Sequence, residues 1–272
     1  MKYEIAIIGV GEMGSWIAEQ LVKKGIFGGK RIIVTRRNNG KLVDFAEKIG
    51  VDYSISNIEA AKNSKRILLA VRPQQMKEVV SEIAPYVAKS QIIFSVAVGL
   101  GIDFYEKFFP ENQVVRLMPN PFIASNLGTM GYSVNGNIDN DTIAEINNIL
   151  SPLCESLVKI DDDKMHLFST MASCSSAIFW QMFDSIIEKA KEDGFDEKTA
   201  REITLISALA SAKHSLKTDE SMIDMINSAA TPGGMTIEGV NYLRQNNFSE
   251  NVKEALQKIS DRSMEINRQF NK

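Results

Sequence analysis

Short apolar runs alternate with amphipathic stretches along the first half of the chain. The runs are rich in isoleucine and valine and are bounded by glycine, proline or polar residues, a pattern typical of buried strands. The pattern predicts strands at 5–8, 31–35, 66–71, 91–96 and 114–118. The stretches between them predict helices, among them 13–24, 42–49 and 76–84. This alternation predicts an α/β fold, with a parallel sheet and helices on both of its faces.

The pattern changes in the second half of the chain. Two further short strands are predicted at 131–134 and 156–160, and from residue 161 onward there is almost no strand signal. Apolar residues instead recur at three- and four-residue spacing, which predicts amphipathic helices. The predicted helices span 164–191, 197–216 and 249–269. We therefore predict two domains, an α/β domain over 1–160 and a helical domain over 161–272.

A glycine motif, Gly-Val-Gly-Glu-Met-Gly, joins the first strand to the first helix. Gly9 permits a tight turn, Gly11 lets a pyrophosphate approach the backbone, and Gly14 allows the helix to pack closely on the strand. The helix N-terminus adds free N–H groups and a favourable dipole for phosphate. A purely structural turn is the alternative, but the strand–turn–helix context favours a Rossmann dinucleotide-binding domain. The expected cofactor-binding residues of the motif are Gly9, Gly11, Glu12, Met13 and Gly14.

The end of the second strand favours NADP over NAD. NAD-binding domains usually carry an acidic residue about 20 residues after the glycines, where it binds the ribose 2′-hydroxyl. Here Thr35 is followed by Arg36 and Arg37 instead. A guanidinium binds a 2′-phosphate through charge-assisted hydrogen bonds, whereas a carboxylate repels it. We therefore expect NADP, bound at Thr35, Arg36 and Arg37, with a pair of solvated loop arginines as the alternative.

Composition and charge exclude several classes of function. Hydrophobic residues make up 44% and charged residues 24% of the chain, as in a globular protein. The net charge of −3, without a long basic run, argues against nucleic-acid binding. No apolar run is long enough to span a bilayer, and because the first strand is predicted so near residue 1, we expect no signal peptide. We expect a cytoplasmic protein that contacts no membrane.

The remaining polar residues are assigned structural roles. The two cysteines and two histidines, Cys154, Cys174, His166 and His214, show neither a disulfide framework nor metal-ligand spacing, so no metal is expected. The three acids at 161–163 point in different directions and are interpreted as a solvated helix start.

Four further motifs follow the predicted strands or lie far downstream. They are Ala-Val-Arg-Pro-Gln at 70–74, Ser-Val-Ala-Val-Gly at 95–99, Arg-Leu-Met-Pro-Asn at 116–120 and Ala-Thr-Pro-Gly-Gly-Met-Thr at 230–236. Together with the glycine motif, this set resembles the pyrroline-5-carboxylate reductase family. The order and spacing of the motifs cover nearly the whole chain.

The resemblance implies a Rossmann domain followed by an all-helical dimerisation domain, with the active site where the two meet. It implies NADPH-dependent reduction of a cyclic imine carboxylate, 1-pyrroline-5-carboxylate, to L-proline, by a homodimer or a higher oligomer. The motifs that end the strands surround the nicotinamide in this family. This role carries over to Ala70, Val71, Arg72, Pro73, Ala97, Met118 and Asn120.

The resemblance also implies a substrate loop. Thr231, Gly233 and Gly234 would hold the substrate carboxylate, and Thr236 would reach the ring nitrogen as the catalytic residue. A glycine turn that feeds the amphipathic run 235–243 is a natural carboxylate site, although helix capping alone also explains threonine and glycine there. A protonated imine is already electrophilic, so no strong general acid is required.

Two segments depart from the family pattern and leave alternatives open. Pro-Phe-Ile at 121–123 stands where the family has Thr-Pro-Ala, and 172–178 lacks the Ser-Gly-Ser-Gly-Pro-Ala-Tyr sequence. A diverged side branch of the family shows similar changes. The alternatives are a reductase of another imine, a non-catalytic NADP-binding regulator, and a 3-hydroxyacid dehydrogenase in which Lys189, followed by Asp193, would be the acid.

Overall fold

The computed structural model describes residues 1–37, 39–125 and 127–270. Within these residues the strands are β1 (Tyr3–Ile8), β2 (Ile32–Thr35), β3 (Asp52–Ser54), β4 (Ser64–Leu69), β5 (Ile92–Ser95), β6 (Gln113–Pro119), β7 (Thr129–Val134) and β8 (Ser156–Lys159). The helices are α1 (Glu12–Lys23), α2 (Asn39–Ile49), α3 (Asn57–Lys62), α4 (Pro73–Ile83), α5 (Ile102–Glu106), α6 (Asn140–Leu150), α7 (Met165–Ser169), α8 (Ser175–Glu192), α9 (Glu197–Ser215), α10 (Met222–Ala229), α11 (Met235–Gln245) and α12 (Phe248–Phe270).

The strands form one sheet in the order β3-β2-β1-β4-β5-β6-β7-β8. The order of its first six strands is that of a Rossmann domain, and β1 lies between β2 and β4. The α/β fold predicted from the sequence is therefore confirmed. The carboxyl ends of β1, β2, β4 and β5 lie at one edge of the sheet, because these strands are parallel.

Helices cover both faces of the sheet. Side chains alternate between faces along a strand, so Ile7 packs with residues of α1, α2 and α6 on one face. Ile67 and Leu69 pack with residues of α4 and α5 on the other. Fully burying one such aliphatic side chain stabilises the fold by about 1.5–3 kcal/mol. The near-continuous apolar runs of the central strands thus reflect burial on both sides.

One strand pairing differs from the expected parallel sheet. β7 runs antiparallel to β6, whereas β8 again runs parallel to β7. The connection between β6 and β7, residues 120–128, is shorter than the dozen or more residues that a parallel crossover needs. The chain therefore doubles back at this point. Both strands were predicted from the sequence, but their antiparallel pairing was not.

The sequence pattern missed several short elements. β3 has only three residues, with Ser54 alone buried, and α3 follows it directly. β4 ends at Leu69 instead of 71, and Pro73 opens α4 four residues later. The predicted helix 164–191 is interrupted by a π-helical turn at Thr170–Cys174, which separates α7 from α8.

The chain divides into two compact units. The first contains Met1–Ser173 together with the residues from Ser260 onward, and the second contains Cys174–Ile259. In the second unit α8 packs against α9, and the side chains of Asp196 and Ser221 cap α9 and α10. The domain boundary near residue 161 stays a prediction. In the part of the chain described here, no helix has the length and apolar character needed to cross a membrane.

The close packing of α1 on the sheet gives a test of the fold. A Cβ at Gly14 would collide with the carbonyl oxygen of Gly9 and lie 3.1 Å from Ala70 Cβ. Overpacking of this kind costs about 1–3 kcal/mol, so we expect Gly14→Ala to lower the free energy of unfolding. Alanine is otherwise favoured over glycine in a helix by about 1 kcal/mol.

The matched control is Gly11→Ala, measured in the same urea titrations. A Cβ at Gly11 would meet no other described atom within 4 Å, so its effect on stability should stay below about 1 kcal/mol. Equal stability of the two variants would contradict the proposed close contact.

Candidate functional site

The glycine turn between β1 and α1 exposes the N-terminus of that helix. Gly9 has φ +98°, and a Cβ there would lie 2.9 Å from Val71 N, so glycine alone fits. The backbone N–H groups of Gly9 and Val10 both donate to Thr35 O, which holds the turn against β2. Gly11 precedes α1 in an extended conformation and has no side chain that could cap it. The free N–H groups there suit an anion such as pyrophosphate.

A cleft of about 300 Å³ opens beside this turn. It lies at the carboxyl ends of β1, β2 and β4, where open α/β sheets bind their ligands. Its lining residues are Gly9, Val10, Gly11, Thr35, Arg36, Arg37, Asn57, Ala70, Val71, Arg72, Gln75 and Val79. The structure thus brings together eight of the expected cofactor-binding residues: Gly9, Gly11, Thr35, Arg36, Arg37, Ala70, Val71 and Arg72.

The arginines of the cleft differ in their surroundings. Arg37 Nη2 forms an exposed ion pair with Glu78 Oε2 at 2.9 Å, and Arg36 is half-buried. Exposed ion pairs contribute little, about 0–1 kcal/mol. Arg37 can therefore exchange Glu78 for a phosphate at small cost.

Asn57 is a cleft residue that the sequence reasoning missed. Its Oδ1 accepts a hydrogen bond from Thr35 Oγ1 at 2.7 Å, and its Nδ2 donates to Glu82 Oε2 at 2.9 Å. Asn57 begins α3 directly after the short strand β3. If β3 is recognised as a strand, Asn57 is predicted to lie at the carboxyl edge of the sheet. Gln75 and Val79 were not predicted as cleft residues, because they fit the pattern of ordinary residues of α4.

Several expected cofactor residues lie outside the lining of this cleft. Glu12, Met13 and Gly14 form the first turn of α1, immediately behind Gly11. Pro73 is the first residue of α4. These residues shape the two helix N-termini beside the cleft, and their contact with a cofactor stays a prediction.

The expected nicotinamide side is more buried. Ala97, Met118 and Asn120 are each at most 5% exposed. The amide of Asn120 already makes two hydrogen bonds: Nδ2 donates to Ala172 O at 2.5 Å, and Oδ1 accepts from Phe122 N at 2.7 Å. Asn120 thus ties the end of β6 to the π-helical turn. Cofactor contacts of these three residues stay predictions.

The expected substrate loop lies in the second unit. Gly233 has φ +77°, which favours glycine, and Gly234 N donates to Thr231 O at 3.0 Å. Gly234 occupies the cap position of α11, and it has no side chain with which to cap the helix. Thr236 is the second residue of α11 and is exposed. Since Thr236 does not stand at the cap position, helix capping does not explain it.

Asp162, one of the three consecutive acids at 161–163, is not the solvated residue that the sequence predicts. Asp161 is exposed and pairs with Lys164, which lowers the pKa of its carboxyl group. Asp162 instead accepts hydrogen bonds from Ile102 N, Arg116 Nη1 and Ser133 Oγ. The interpretation of 161–163 as solvated is therefore wrong for Asp162. Nothing in the sequence indicates this role, because the partners of Asp162 come from three distant segments.

The cysteines and histidines show no catalytic arrangement. Cys154 is half-buried, and burial raises the pKa of its thiol, whereas Cys174 is exposed. His166 lies in α7 and His214 in α9. Over residues 1–37, 39–125 and 127–270, no group of three His, Cys, Asp or Glu side chains is placed to hold a metal ion.

Comparisons with known proteins agree with this architecture. A family described as "NADP oxidoreductase coenzyme F420-dependent" matches residues 4–99, and one described as "Pyrroline-5-carboxylate reductase dimerisation" matches residues 162–266. The pyrroline-5-carboxylate reductase of Aquifex aeolicus is 28% identical over 98% of both chains. That of Staphylococcus haemolyticus is 24% identical over 97% of this chain and 98% of its own.

Solved structures show the same fold. A pyrroline-5-carboxylate reductase from Coxiella burnetii is 27% identical, with a TM-score of 0.87 over 97% of this chain and 98% of that one. The Plasmodium falciparum enzyme, solved with NADP bound, is 23% identical, with a TM-score of 0.81 over the same shares of the two chains.

The fold and the first matched domain define an NADP-dependent oxidoreductase. The chain is similar to pyrroline-5-carboxylate reductases over nearly its whole length, and residues 162–266 of its C-terminal helical region match the dimerisation domain described for those enzymes. The resemblance to this family, the enzyme class and the NADP cofactor predicted from the sequence are confirmed. The roles of individual residues stay predictions.

The arginines of the cleft give a test of cofactor preference. We expect Arg36→Ala and Arg37→Ala together to weaken NADPH binding strongly and to leave NADH binding nearly unchanged. Each lost charge-assisted contact to the 2′-phosphate is worth about 1.5–3 kcal/mol. Dissociation constants for both cofactors, measured by calorimetry, check this expectation.

Lys89→Ala is the control, because Lys89, like Arg37, is an exposed cation in an ion pair, with Glu111 at 2.6 Å, but lies outside the lining of the cleft. Equal losses for NADPH and NADH in the double variant would exclude 2′-phosphate binding by Arg36 and Arg37.

Proposed function

We propose that this protein catalyses the NADPH-dependent reduction of 1-pyrroline-5-carboxylate to L-proline, as a homodimer in the cytoplasm. The cleft beside the glycine turn carries the proposal, because it joins an open helix N-terminus to two arginines. This pairing suits a dinucleotide with an additional phosphate. The full-length similarity to named pyrroline-5-carboxylate reductases supports the choice of substrate.

The residues of the cleft suit the pyrophosphate and the 2′-phosphate of the cofactor. Gly11 leaves open space where a side chain would otherwise stand, so a pyrophosphate can approach the N-terminus of α1. Arg36 and Arg37 would hold the 2′-phosphate. NADPH, when bound, supplies the hydride for the reduction. The protein contributes orientation and the exclusion of water.

The loop before α11 would hold the substrate. Gly233 and Gly234 lead into the N-terminus of α11, and a helix N-terminus attracts a carboxylate. The Thr236 hydroxyl would hydrogen-bond the ring nitrogen and fix its orientation. Because the imine nitrogen is already protonated, the hydride acceptor needs no general acid from the protein.

The 3-hydroxyacid dehydrogenase alternative finds no support at its proposed acid. Lys189 forms an ion pair with Asp193 along α8, and the side chains of both residues are more than half exposed. An exposed pair within one helix is an ordinary surface feature, worth about 0.3–0.5 kcal/mol. No observation favours this reaction over imine reduction.

Measuring the turnover of 1-pyrroline-5-carboxylate with NADPH and with NADH in parallel tests the function. Substitution of Thr236 tests the substrate site. We expect Thr236→Val to lower kcat/KM about 10- to 100-fold, through the loss of one hydrogen bond worth about 1.4–2.8 kcal/mol. The melting temperature and NADPH affinity should stay at wild-type values, because Thr236 does not occupy the cap position of α11.

Thr236→Ser retains the hydroxyl and should keep most of the activity. Wild-type turnover by Thr236→Val would remove Thr236 from the substrate site. If none of the cyclic imines tested causes the wild-type protein to oxidise NADPH, the proposed function itself is overturned. That outcome would favour a cofactor-binding regulator.

The apolar surface of the second unit supports the homodimer. In α8, α9, α10 and α11 many large apolar side chains are exposed: Phe179, Trp180, Ile186, Ile203, Ile206, Leu209, Met222, Ile223, Tyr242 and Leu243. Ile203 and Ile206 line an open groove of about 370 Å³ on α9. Apolar patches of this kind mark protein–protein interfaces.

We expect Ile206→Glu to weaken the dimer at least about tenfold, because it would place an unpaired charge in the interface. Light scattering over a dilution series measures the effect. Ile55→Glu is the matched control, because Ile55 is 74% exposed but lies in the first unit, outside the dimerisation domain. A wild-type protein that is monomeric at micromolar concentration would contradict the proposed assembly.

A further inference from the structure

We propose that Asp162 is a positioning residue that fixes the loop of residues 96–101 on the nicotinamide side of the cofactor site. The inference rests on the proposed function, because that function places Ala97 beside the nicotinamide. This loop joins β5 to α5 and leaves the carboxyl edge of the sheet.

The carboxylate of Asp162 joins three segments of the first unit. Its Oδ2 accepts a hydrogen bond from Ile102 N at 2.9 Å, at the start of α5. Its Oδ1 accepts from Arg116 Nη1 in β6 at 2.9 Å and from Ser133 Oγ in β7 at 2.8 Å. The loop before α5 is therefore tied to two neighbouring strands through one side chain.

Arg116 makes this attachment strong. Its side chain is only 5% exposed, and its Nη1 also donates to Asp162 O at 3.4 Å. A buried guanidinium needs a counter-charge, because an unpaired charge in the interior is very costly. Asp162 supplies that charge. Arg116 in β6 and Ser133 in β7 therefore hold the Asp162 carboxylate in place, and the carboxylate in turn binds Ile102 N.

A second set of hydrogen bonds fixes the beginning of the loop. Ser95 Oγ accepts from Ala97 N at 3.2 Å and lies 2.5 Å from Tyr105 Oη. Burial raises the pKa of Tyr105 to about 12, so its hydroxyl keeps its proton. Tyr105 lies on α5, the helix whose first N–H is bound by Asp162. Both ends of the loop are thus connected to α5, the beginning through Tyr105 and the end through Ile102.

The middle of the loop depends on these two attachments. Gly101 lies so close to Asp162 that a Cβ there would be 3.1 Å from its Oδ2. Gly99 has φ +87°, and Leu100 is buried. Val98, which follows the buried Ala97, is 50% exposed. Val98 is the part of the loop that a ligand at this edge would meet. Its position follows from where Asp162 holds Ile102.

A small displacement of such a loop has a large kinetic effect. Hydride transfer needs close alignment, and a misplacement of about 1 Å can cost on the order of 100-fold in rate. Asp162 touches neither cofactor nor substrate in this account. Its contribution therefore appears in turnover and in the surroundings of the nicotinamide, while the phosphate contacts of the cofactor persist.

The test compares Asp162→Asn with Asp163→Asn in the full-length protein. Asp163 is the adjacent exposed acid, so its variant makes the same change of charge outside the network. We expect Asp162→Asn to lower kcat about 10- to 100-fold and to leave the dissociation constant of NADPH within about twofold. The fluorescence of the nicotinamide in bound NADPH should also change, whereas Asp163→Asn should match wild type in all three measurements.

A second variant separates positioning from stability. Ser133→Ala removes one hydrogen bond to Asp162 and leaves its contact with Ile102 in place, so its kcat should stay within about twofold of wild type. A lower melting temperature of Asp162→Asn with unchanged kcat and unchanged nicotinamide fluorescence would assign Asp162 a purely structural role and overturn the proposal. If wild-type protein reduces no cyclic imine, the proposed function fails, and the fluorescence comparison still decides whether Asp162 positions the loop.

Discussion

The parallel pairing of β1 with both β2 and β4 is the constraint on which the rest of the structure depends. Parallel neighbours require crossover segments, and each crossover returns the chain to the same edge of the sheet. The loops after these three strands therefore lie side by side. Glycines from the first loop, arginines from the second and the Ala70–Arg72 segment from the third line one cleft. Gly9 is needed there because the backbones of the first and third loops nearly touch, and Gly14 is needed because α1 packs closely against the carbonyl group of Gly9.

Buried polar groups organise the other side of the sheet edge. Asp162 holds Arg116, Ser133 and the start of α5, and Asn120 holds the π-helical turn through Ala172 O. In a low-dielectric interior such networks are stabilising when their members are paired, and they favour one conformation over others. The sheet thus provides a rigid base beside the cleft of the glycine turn, and polar anchors define the loops on the side proposed for the nicotinamide.

The two segments that depart from the family motifs meet through one of these anchors. Residues 121–125 form a short 3₁₀ helix in which Ile123 is buried in the core. The 172–178 segment overlaps the π-helical turn, and π-helical turns often occur near functional sites. Asn120 contacts both segments, at Phe122 N and at Ala172 O. The departures are therefore linked in space, and both bear on the surroundings of the substrate proposed here.

The sequence alone determined the α/β class, the glycine turn, the arginines after β2 and the helical second half, because each depends on short-range periodicity or on adjacent residues. It did not reveal β3, the antiparallel β6–β7 pair or the π-helical turn, where short length or chain connection outweighs propensity. The cleft role of Asn57 and the network of Asp162 were decided by tertiary structure. Ile102, Arg116 and Ser133 are far from Asp162 in sequence, and only the folded sheet brings a buried charge and its partner together.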